Sequence, residues 1–120
     1  QIELFFHILQ TEKKLKEGIS IVIFPEGTVP SLDVILGPFK HGAFSIAIDH
    51  KTPIVPMTFL DNKKRFPWSY GGLLAGSKGS PGQLRVKIHD PIITKNMTRK
   101  DVDTLCNKVR EIILSDLETP

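Results

Sequence analysis

The residue types best suited to chemistry form a pentapeptide whose members are Phe24, Pro25, Glu26, Gly27 and Thr28. It follows an almost uninterrupted apolar, β-branched run at residues 19–24, which predicts a strand. Open α/β sheets place their ligand sites where strands end. Pro25 would end the hydrogen-bond ladder, and Gly27 would allow a positive φ or close approach of a ligand to the backbone. The pentapeptide is therefore predicted to form part of a ligand site.

Glu26 is the acidic group of this segment. A carboxylate held at a strand end can accept a hydrogen bond from a substrate hydroxyl, or it can orient a basic partner. Thr28 would add a hydroxyl beside exposed backbone N–H groups. The simpler alternative is a tight turn with an exposed glutamate and a capping threonine, and the pentapeptide alone leaves both interpretations open.

A second polar group stands in the segment Phe-Lys-His-Gly-Ala-Phe at residues 39–44. A helix is predicted at residues 40–50, so Lys40 and Gly42 would lie at its start. Free backbone N–H groups, the positive helix end and the lysine could converge there on one phosphate. The alternative is a solvent-exposed lysine and a glycine required for close packing.

The elements that must position these residues follow an α/β order. Helices are predicted at residues 2–16, 40–50 and 98–117, and strands at residues 19–24, 53–60 and 84–88. The first strand is apolar on both faces, which is typical of a central parallel strand, whereas the last alternates and predicts one buried face. The order favours a mainly parallel or mixed sheet flanked by helices, and we expect the fold to be incomplete.

Several single residues refine these boundaries. Gly18 is suited to end the first helix, and Thr98 with Asp101 three residues later is suited to begin the last one. Pro56 lacks a ladder donor, so it must lie at an edge, a bulge or a change of pairing. Cys106 falls on the apolar face of the last helix and is predicted to be a core residue.

Composition excludes several classes of function. The chain has 120 residues with one cysteine and a net charge of +3, so it has no internal disulfide, and a reducing compartment is favoured. No nucleic-acid partner is expected, because aromatic residues do not alternate with the cations. No run approaches the roughly 18 apolar residues of a membrane span. Because the chain starts at Gln1 within a predicted helix, we expect it to be part of a longer protein.

The combination of segments resembles the glycerolipid acyltransferase family, of the 1-acylglycerol-3-phosphate acyltransferase type. That family has a block reading Phe-Pro-Glu-Gly-Thr-Arg-Ser, followed by a helix start reading Phe-Lys-x-Gly-Ala-Phe. Its Pro-x-Val-Pro strand is similar to Pro53-Ile54-Val55-Pro56 here. The resemblance covers residues 1–60 well and the remainder loosely, and the combination is far more specific than any one motif.

The resemblance implies a catalytic His-x4-Asp motif upstream of these blocks. Its histidine is the general base on a glycerol hydroxyl, which attacks an acyl thioester of coenzyme A or acyl carrier protein. None of the four histidines here has an aspartate at the fifth following position; they are His7, His41, His50 and His89. Residues 1–120 are thus expected to be the carboxyl-terminal part of a single acyltransferase domain, without the catalytic pair.

The residues carried over by the resemblance are a substrate-binding set with Glu26 in a supporting catalytic role. The set comprises Phe24, Pro25, Glu26, Gly27, Thr28, Lys40 and Gly42. No metal and no bound cofactor are implied, since the acyl thioester is a co-substrate. One departure matters: Val29-Pro30-Ser31 replaces Arg-Ser, which removes a bidentate phosphate ligand. Either Lys40 compensates, or the acceptor is a different lipid.

The expected partners are a glycerolipid acceptor, an acyl thioester donor and a membrane surface at its cytoplasmic face. Residues 66–74 combine aromatic side chains with the adjacent cations at residues 63–65, so they could touch a membrane, or they could form a loop folded over the core. The leading hypothesis is an O-acyltransferase of phospholipid biosynthesis. The alternatives are a non-catalytic lipid- or phosphate-binding module and a phosphometabolite enzyme with a convergent anion site.

Overall fold

The computed structural model describes residues 2–31, 33–66 and 79–118, with side chains from residue 7 onward. The helices are α1 (Ile2–Lys16), α2 (Gly42–Asp49), the single-turn α3 (Asn62–Arg65) and α4 (Val102–Glu118), and a 3₁₀-helix at Arg99–Asp101 leads into α4. The strands are β1 (Met57–Phe59) and β2 (Val86–Ile88). The chain therefore combines helices with a sheet, as predicted.

The cap residues end and begin the helices where the sequence predicted. Gly18 has φ of +79°, its N–H donates to the Leu15 carbonyl, and the N–H of Ile19 donates to the Lys14 carbonyl, which together make a Schellman motif at the end of α1. At the 3₁₀-helix, the backbone N–H of Thr98 donates to the Asp101 carboxylate at 2.8 Å, as in a capping box.

The core lies between α2, α4 and the segment that precedes α2. Its buried apolar cluster, among the described residues, contains Leu36, Phe39, Phe44, Ile48, Ile92, Val102, Leu105, Cys106 and Val109. The rings of Phe39 and Phe44 stack with centroids 6.3 Å apart. Cys106 is 3% exposed, which confirms its predicted core position, and burial raises the pKa of its thiol.

The two strands pair antiparallel, with Met57 opposite Ile88, Thr58 opposite Lys87 and Phe59 opposite Val86. Opposite residues share a face. Thr58 is fully buried, and Lys87 Nζ contacts the Asp116 carboxylate of α4 at 2.9 Å, so this face is turned toward α4.

The prediction of a buried apolar face on β2 is wrong. Leu84, Val86 and Ile88 are 52%, 41% and 67% exposed. The alternation is present, but the contact of β2 with α4 is on the opposite face, through the ion pair of Lys87 with Asp116, and all three residues of β2 are exposed. Alternation reveals that a strand has two unlike faces, and the packed neighbour decides which one is covered.

The predicted strand at residues 19–24 does not form. The segment contains Ile19, Ile21, Val22, Ile23 and Phe24, which are 37–70% exposed, and no strand in the described part of the chain pairs with it. A strand that is apolar on both faces requires neighbours on both edges and layers on both faces. Within the described residues, neither these neighbouring strands nor these layers surround residues 19–24. The segment therefore has the composition of a central strand but is not part of a sheet.

Pro56 lies where pairing changes, as its missing donor predicted. An isolated antiparallel bridge joins Ile54 to Ile92, and regular pairing starts at Met57. The sheet within the described ranges is this antiparallel pair, so the mainly parallel arrangement stays a prediction. No helix in the same ranges combines the length and apolar composition that crossing a bilayer requires.

Candidate functional site

The two motif segments meet through a backbone hydrogen bond. Gly27 closes a turn by donating its N–H to the Phe24 carbonyl at 3.2 Å, and its φ is +68°. Within that turn, the carbonyl of Pro25 accepts the N–H of Lys40 at 2.8 Å. Segments separated by 15 residues are thus held side by side, which places the pentapeptide against the residues that lead into α2.

Lys40 also covers Gly27 with its side chain. A Cβ built on Gly27 would lie 3.0, 3.1 and 3.2 Å from Cε, Cδ and Nζ of Lys40. Position 27 therefore favours glycine, because a left-handed φ is costly for other residues and a Cβ would make the flexible end of Lys40 shift. The proximity also places the ammonium group beside the turn.

Glu26 is held by the backbone of Gly37, which lies between the two motif segments. Its Oε2 accepts the backbone N–H of Gly37 at 2.8 Å, and Gly37 is buried. A Cβ on Gly37 would lie 3.0 Å from the same oxygen. The absence of a side chain thus permits the carboxylate to approach, and the Gly-Pro pair at residues 37–38 was the available sequence signal.

Glu26 and Lys40 line one cavity of about 330 Å³, together with Thr28, Pro30, Ser31, Val34, Gly37, Pro38 and Phe39. The remaining wall is largely apolar, with two hydroxyl side chains. A carboxylate that uses one oxygen for a backbone bond keeps further acceptor positions for a hydroxyl. An ammonium group attracts an anionic group. The cavity therefore offers an apolar surface, a hydroxyl acceptor and a cation together.

The other residues of the predicted set lie at the edge of this arrangement. Phe24 is 68% exposed and its ring lies 6.0 Å from that of Phe59. Pro25 contributes its carbonyl to Lys40, and neither it nor Gly42 lines the cavity. The helix starts at Gly42 rather than at Lys40, with His41 as a cap residue that makes no side-chain cap bond. Lys40 thus precedes the helix.

Three of the four histidines contact carboxylates, and all three lie outside the lining of the cavity. His41 Nδ1 lies 3.2 Å from Asp103, with both side chains more than half exposed. His50 Nε2 lies 3.4 Å from Glu12. The exposed His41–Asp103 pair contributes little to stability.

His89 lies in the most enclosed of these contacts. Its Nε2 lies 2.8 Å from Thr58 Oγ1 and 2.9 Å from Asp116 Oδ2. A hydrolase-type triad uses both ring nitrogens, one toward the nucleophile and one toward the carboxylate. Here both partners share one nitrogen, so the cluster ties β1, α4 and the residue after β2 together and does not form a proton relay.

The cations predicted to face a membrane are partly bonded within the protein. Lys63 Nζ donates to the carbonyl of Val34, and Arg65 donates to the carbonyls of Pro81 at 2.9 Å and Gln83 at 3.3 Å. Phe66 is 66% exposed. Residues 67–74 of the predicted membrane-contact segment lie outside the described residues.

Comparison with known proteins identifies relatives of this chain by sequence. Residues 7–60, which include Glu26, Gly27 and Lys40, match the family model described as Acyltransferase. A chloroplastic 1-acyl-sn-glycerol-3-phosphate acyltransferase of Brassica napus is 39% identical over 103 residues, covering 86% of this chain and 27% of that protein.

Two further relatives are also named as 1-acyl-sn-glycerol-3-phosphate acyltransferases. The alpha form from Homo sapiens is 30% identical over 108 residues, covering 84% of this chain and 33% of its own length. The Saccharomyces cerevisiae protein is 32% identical over 111 residues, which covers 92% of this chain and 34% of that protein. The chain thus spans about a third or less of these relatives. No solved structure gives a significant match. The resemblance drawn from the motifs is confirmed.

Proposed function

We propose that this acyltransferase-related chain is part of an O-acyltransferase that moves an acyl group from a thioester donor to a lysophospholipid or related glycerolipid. The observation that supports it most directly is the cavity that Glu26 and Lys40 both line. The segments that form it lie within the part of the chain that matches the family model. The relatives are named for 1-acyl-sn-glycerol 3-phosphate, an acceptor with both a hydroxyl and a phosphate.

The cavity suits such an acceptor group by group. The ammonium of Lys40 attracts the phosphate, which compensates for the arginine replaced by Val29. The carboxylate of Glu26 accepts a hydrogen bond from a glycerol hydroxyl or orients the catalytic base, and Thr28 adds a hydroxyl to the polar wall. The apolar wall around Val34 and Phe39 suits the neighbouring hydrocarbon.

The base that activates the acceptor hydroxyl belongs, in this proposal, to a His-x4-Asp motif in the remainder of a single acyltransferase domain. Strands from that remainder would complete a mainly parallel or mixed sheet around residues 19–24. The donor is an acyl thioester of coenzyme A or acyl carrier protein, with no metal or bound cofactor. The lipid acceptor favours action at a membrane surface, for which we propose the cytoplasmic face.

The test is acyl transfer by the complete protein. Purified protein receives lysophosphatidate with acyl-coenzyme A or acylated carrier protein, and thiol release and diacylated product are measured together. Acceptor-dependent formation of both supports the proposal, and the preferred donor identifies the thioester. Lysophosphatidate binding without turnover would replace it with a non-catalytic lipid-binding module, and neither binding nor turnover would reject both.

A further inference from the structure

The carboxyl-terminal helix reaches the site through one side chain. Arg110 of α4 donates from a terminal guanidinium nitrogen to the carbonyl of Leu36 at 2.7 Å, and from Nε to the carbonyl of Gly37 at 3.1 Å. The guanidinium fork is suited to bridging two adjacent carbonyls, because its N–H groups are fixed in one plane. These bonds span more than 70 residues of sequence.

The first of these bonds involves the same peptide group that holds Glu26. The carbonyl of Leu36 and the N–H of Gly37 belong to one peptide unit. Arg110 donates to its oxygen, and Glu26 Oε2 accepts from its nitrogen at 2.8 Å. A cation at the oxygen and a carboxylate at the N–H polarise the peptide in the same direction, so each hydrogen bond strengthens the other.

The surrounding packing fixes this peptide against α4. Leu36 and Phe39, on either side of the Gly-Pro pair, are 8% and 9% exposed and belong to the core with Val109. The Cys106 sulfur lies 3.9 Å from the Phe39 carbonyl, consistent with a weak hydrogen bond. The segment is thus held by apolar anchors, while Arg110 sets the direction of its polar groups.

We propose that Arg110 is a positioning residue for Glu26 and acts through the Leu36–Gly37 peptide. It lies outside residues 7–60, the range that matches the family model. Arg110 does not itself line the cavity; it orients the peptide whose N–H holds the Glu26 carboxylate in the cavity wall. The catalytic role of this positioning rests on the proposed function. The structural coupling between Arg110 and Glu26 does not.

The coupling is tested by NMR on the complete protein. Labelling with ¹³C′-leucine and ¹⁵N-glycine selects Leu-Gly peptides, a pair that occurs once in this chain, and Leu36→Ile identifies its signal by removing it. Arg110→Met is expected to shift the Gly37 amide upfield, and Arg110→Lys less. Arg99→Met is the matched control, since Arg99 pairs with Asp49 at the surface. An unmoved Gly37 amide in folded Arg110→Met or Arg110→Lys protein overturns the inference.

The catalytic consequence is tested by a double-mutant cycle on kcat/KM. Arg110→Met is expected to lower kcat/KM about tenfold in wild type and less than about threefold in a Glu26→Ala background, since residues that act as a unit are not additive. Arg110→Lys should be intermediate, and Arg99→Met unchanged. Equal losses in both backgrounds overturn the positioning role. Absence of acyl transfer by the wild-type protein rejects the proposed function, and the amide shift then decides the coupling by itself.

Discussion

The side chain of Lys40 lies on Gly27, within 3.2 Å of where a Cβ would stand. The two segments are also joined through their backbones, since the N–H of Lys40 donates to the carbonyl of Pro25, two residues before Gly27. One cation therefore lies beside a turn with a left-handed glycine, at the wall of a cavity that Glu26 and Thr28 also line. This relationship supplies the first prediction.

Inorganic phosphate is expected to bind between Gly27, Thr28 and Lys40. Titration followed by NMR should shift these three amides first. Lys40→Met should weaken phosphate binding by about tenfold, because the charge-assisted contact is lost. Lys108→Met removes a cation on the exposed side of α4 and serves as the control. Shifts confined to other amides would show that the anion site lies elsewhere.

Glu26 is expected to be required for turnover by the complete protein. Glu26→Ala removes both the charge and the acceptor for the Gly37 N–H, and should lower kcat at least about tenfold, or about 1.4 kcal/mol of barrier. Glu26→Gln keeps a carbonyl acceptor for the Gly37 N–H, so its kcat should fall less than that of Glu26→Ala if Glu26 acts mainly by positioning. Glu17→Ala, which removes an exposed partner of Lys14, is the control. Turnover of Glu26→Ala within about twofold of wild type would make Glu26 structural.

The 120-residue chain alone is expected to transfer no acyl groups. An alcohol at neutral pH is a poor nucleophile, and the predicted His-x4-Asp base is absent from these residues. The purified chain is supplied with acyl-coenzyme A and lysophosphatidate and compared with a heat-treated sample. Acceptor-dependent product would identify a base within the chain, and His41→Ala would then be the first variant to examine because His41 pairs with Asp103.

Asp61 should make stability depend on pH below neutrality. Its carboxylate accepts three hydrogen bonds from Arg85, at 2.8–2.9 Å, and the guanidinium lowers the pKa of Asp61 well below its ordinary value. Because the folded-state pKa is the lower one, the stabilisation is fully present above the unfolded pKa of about 3.9. It is lost as the pH falls from there through the folded-state pKa.

The measurement is urea unfolding of wild type and Asp61→Asn at several pH values. The difference in their free energies of unfolding should be largest near neutral pH and should shrink below about pH 4. Asp90→Asn, at an exposed aspartate, is the control. A difference that stays constant with pH would show that the Asp61–Arg85 ion pair does not contribute to the free energy of unfolding.

Leu105 is expected to be the most sensitive leucine of α4. It is 1% exposed within the core, so Leu105→Ala should lower the free energy of unfolding by about 2–5 kcal/mol through lost burial and a residual cavity. Leu9→Ala changes the same side chain at 47% exposure and should cost about 0.5 kcal/mol or less. Chemical denaturation of both variants tests the contrast, and equal losses would place the core elsewhere.

Local chemistry in the sequence determined where the helices end. Gly18 ends α1 because it adopts the left-handed φ that a Schellman motif requires, and the Thr98–Asp101 pair begins the last helix because its groups bond each other within one turn. The pairing change at Pro56 follows from its missing N–H. These features depend on residues within a few positions of one another, so they could be predicted.

Only the tertiary structure decided the features that depend on residues distant in the sequence. The run at residues 19–24 has the composition of a central strand but remains unpaired, because strands form only with neighbours. The apolar side chains of β2 are exposed, because its contact with α4 is made on the other face, by Lys87 with Asp116. At the site, the motifs indicated Glu26 and Lys40. Only the fold brings Arg110 to the peptide that holds Glu26, because the sequence alone does not specify which loop carbonyls a distant helix will meet.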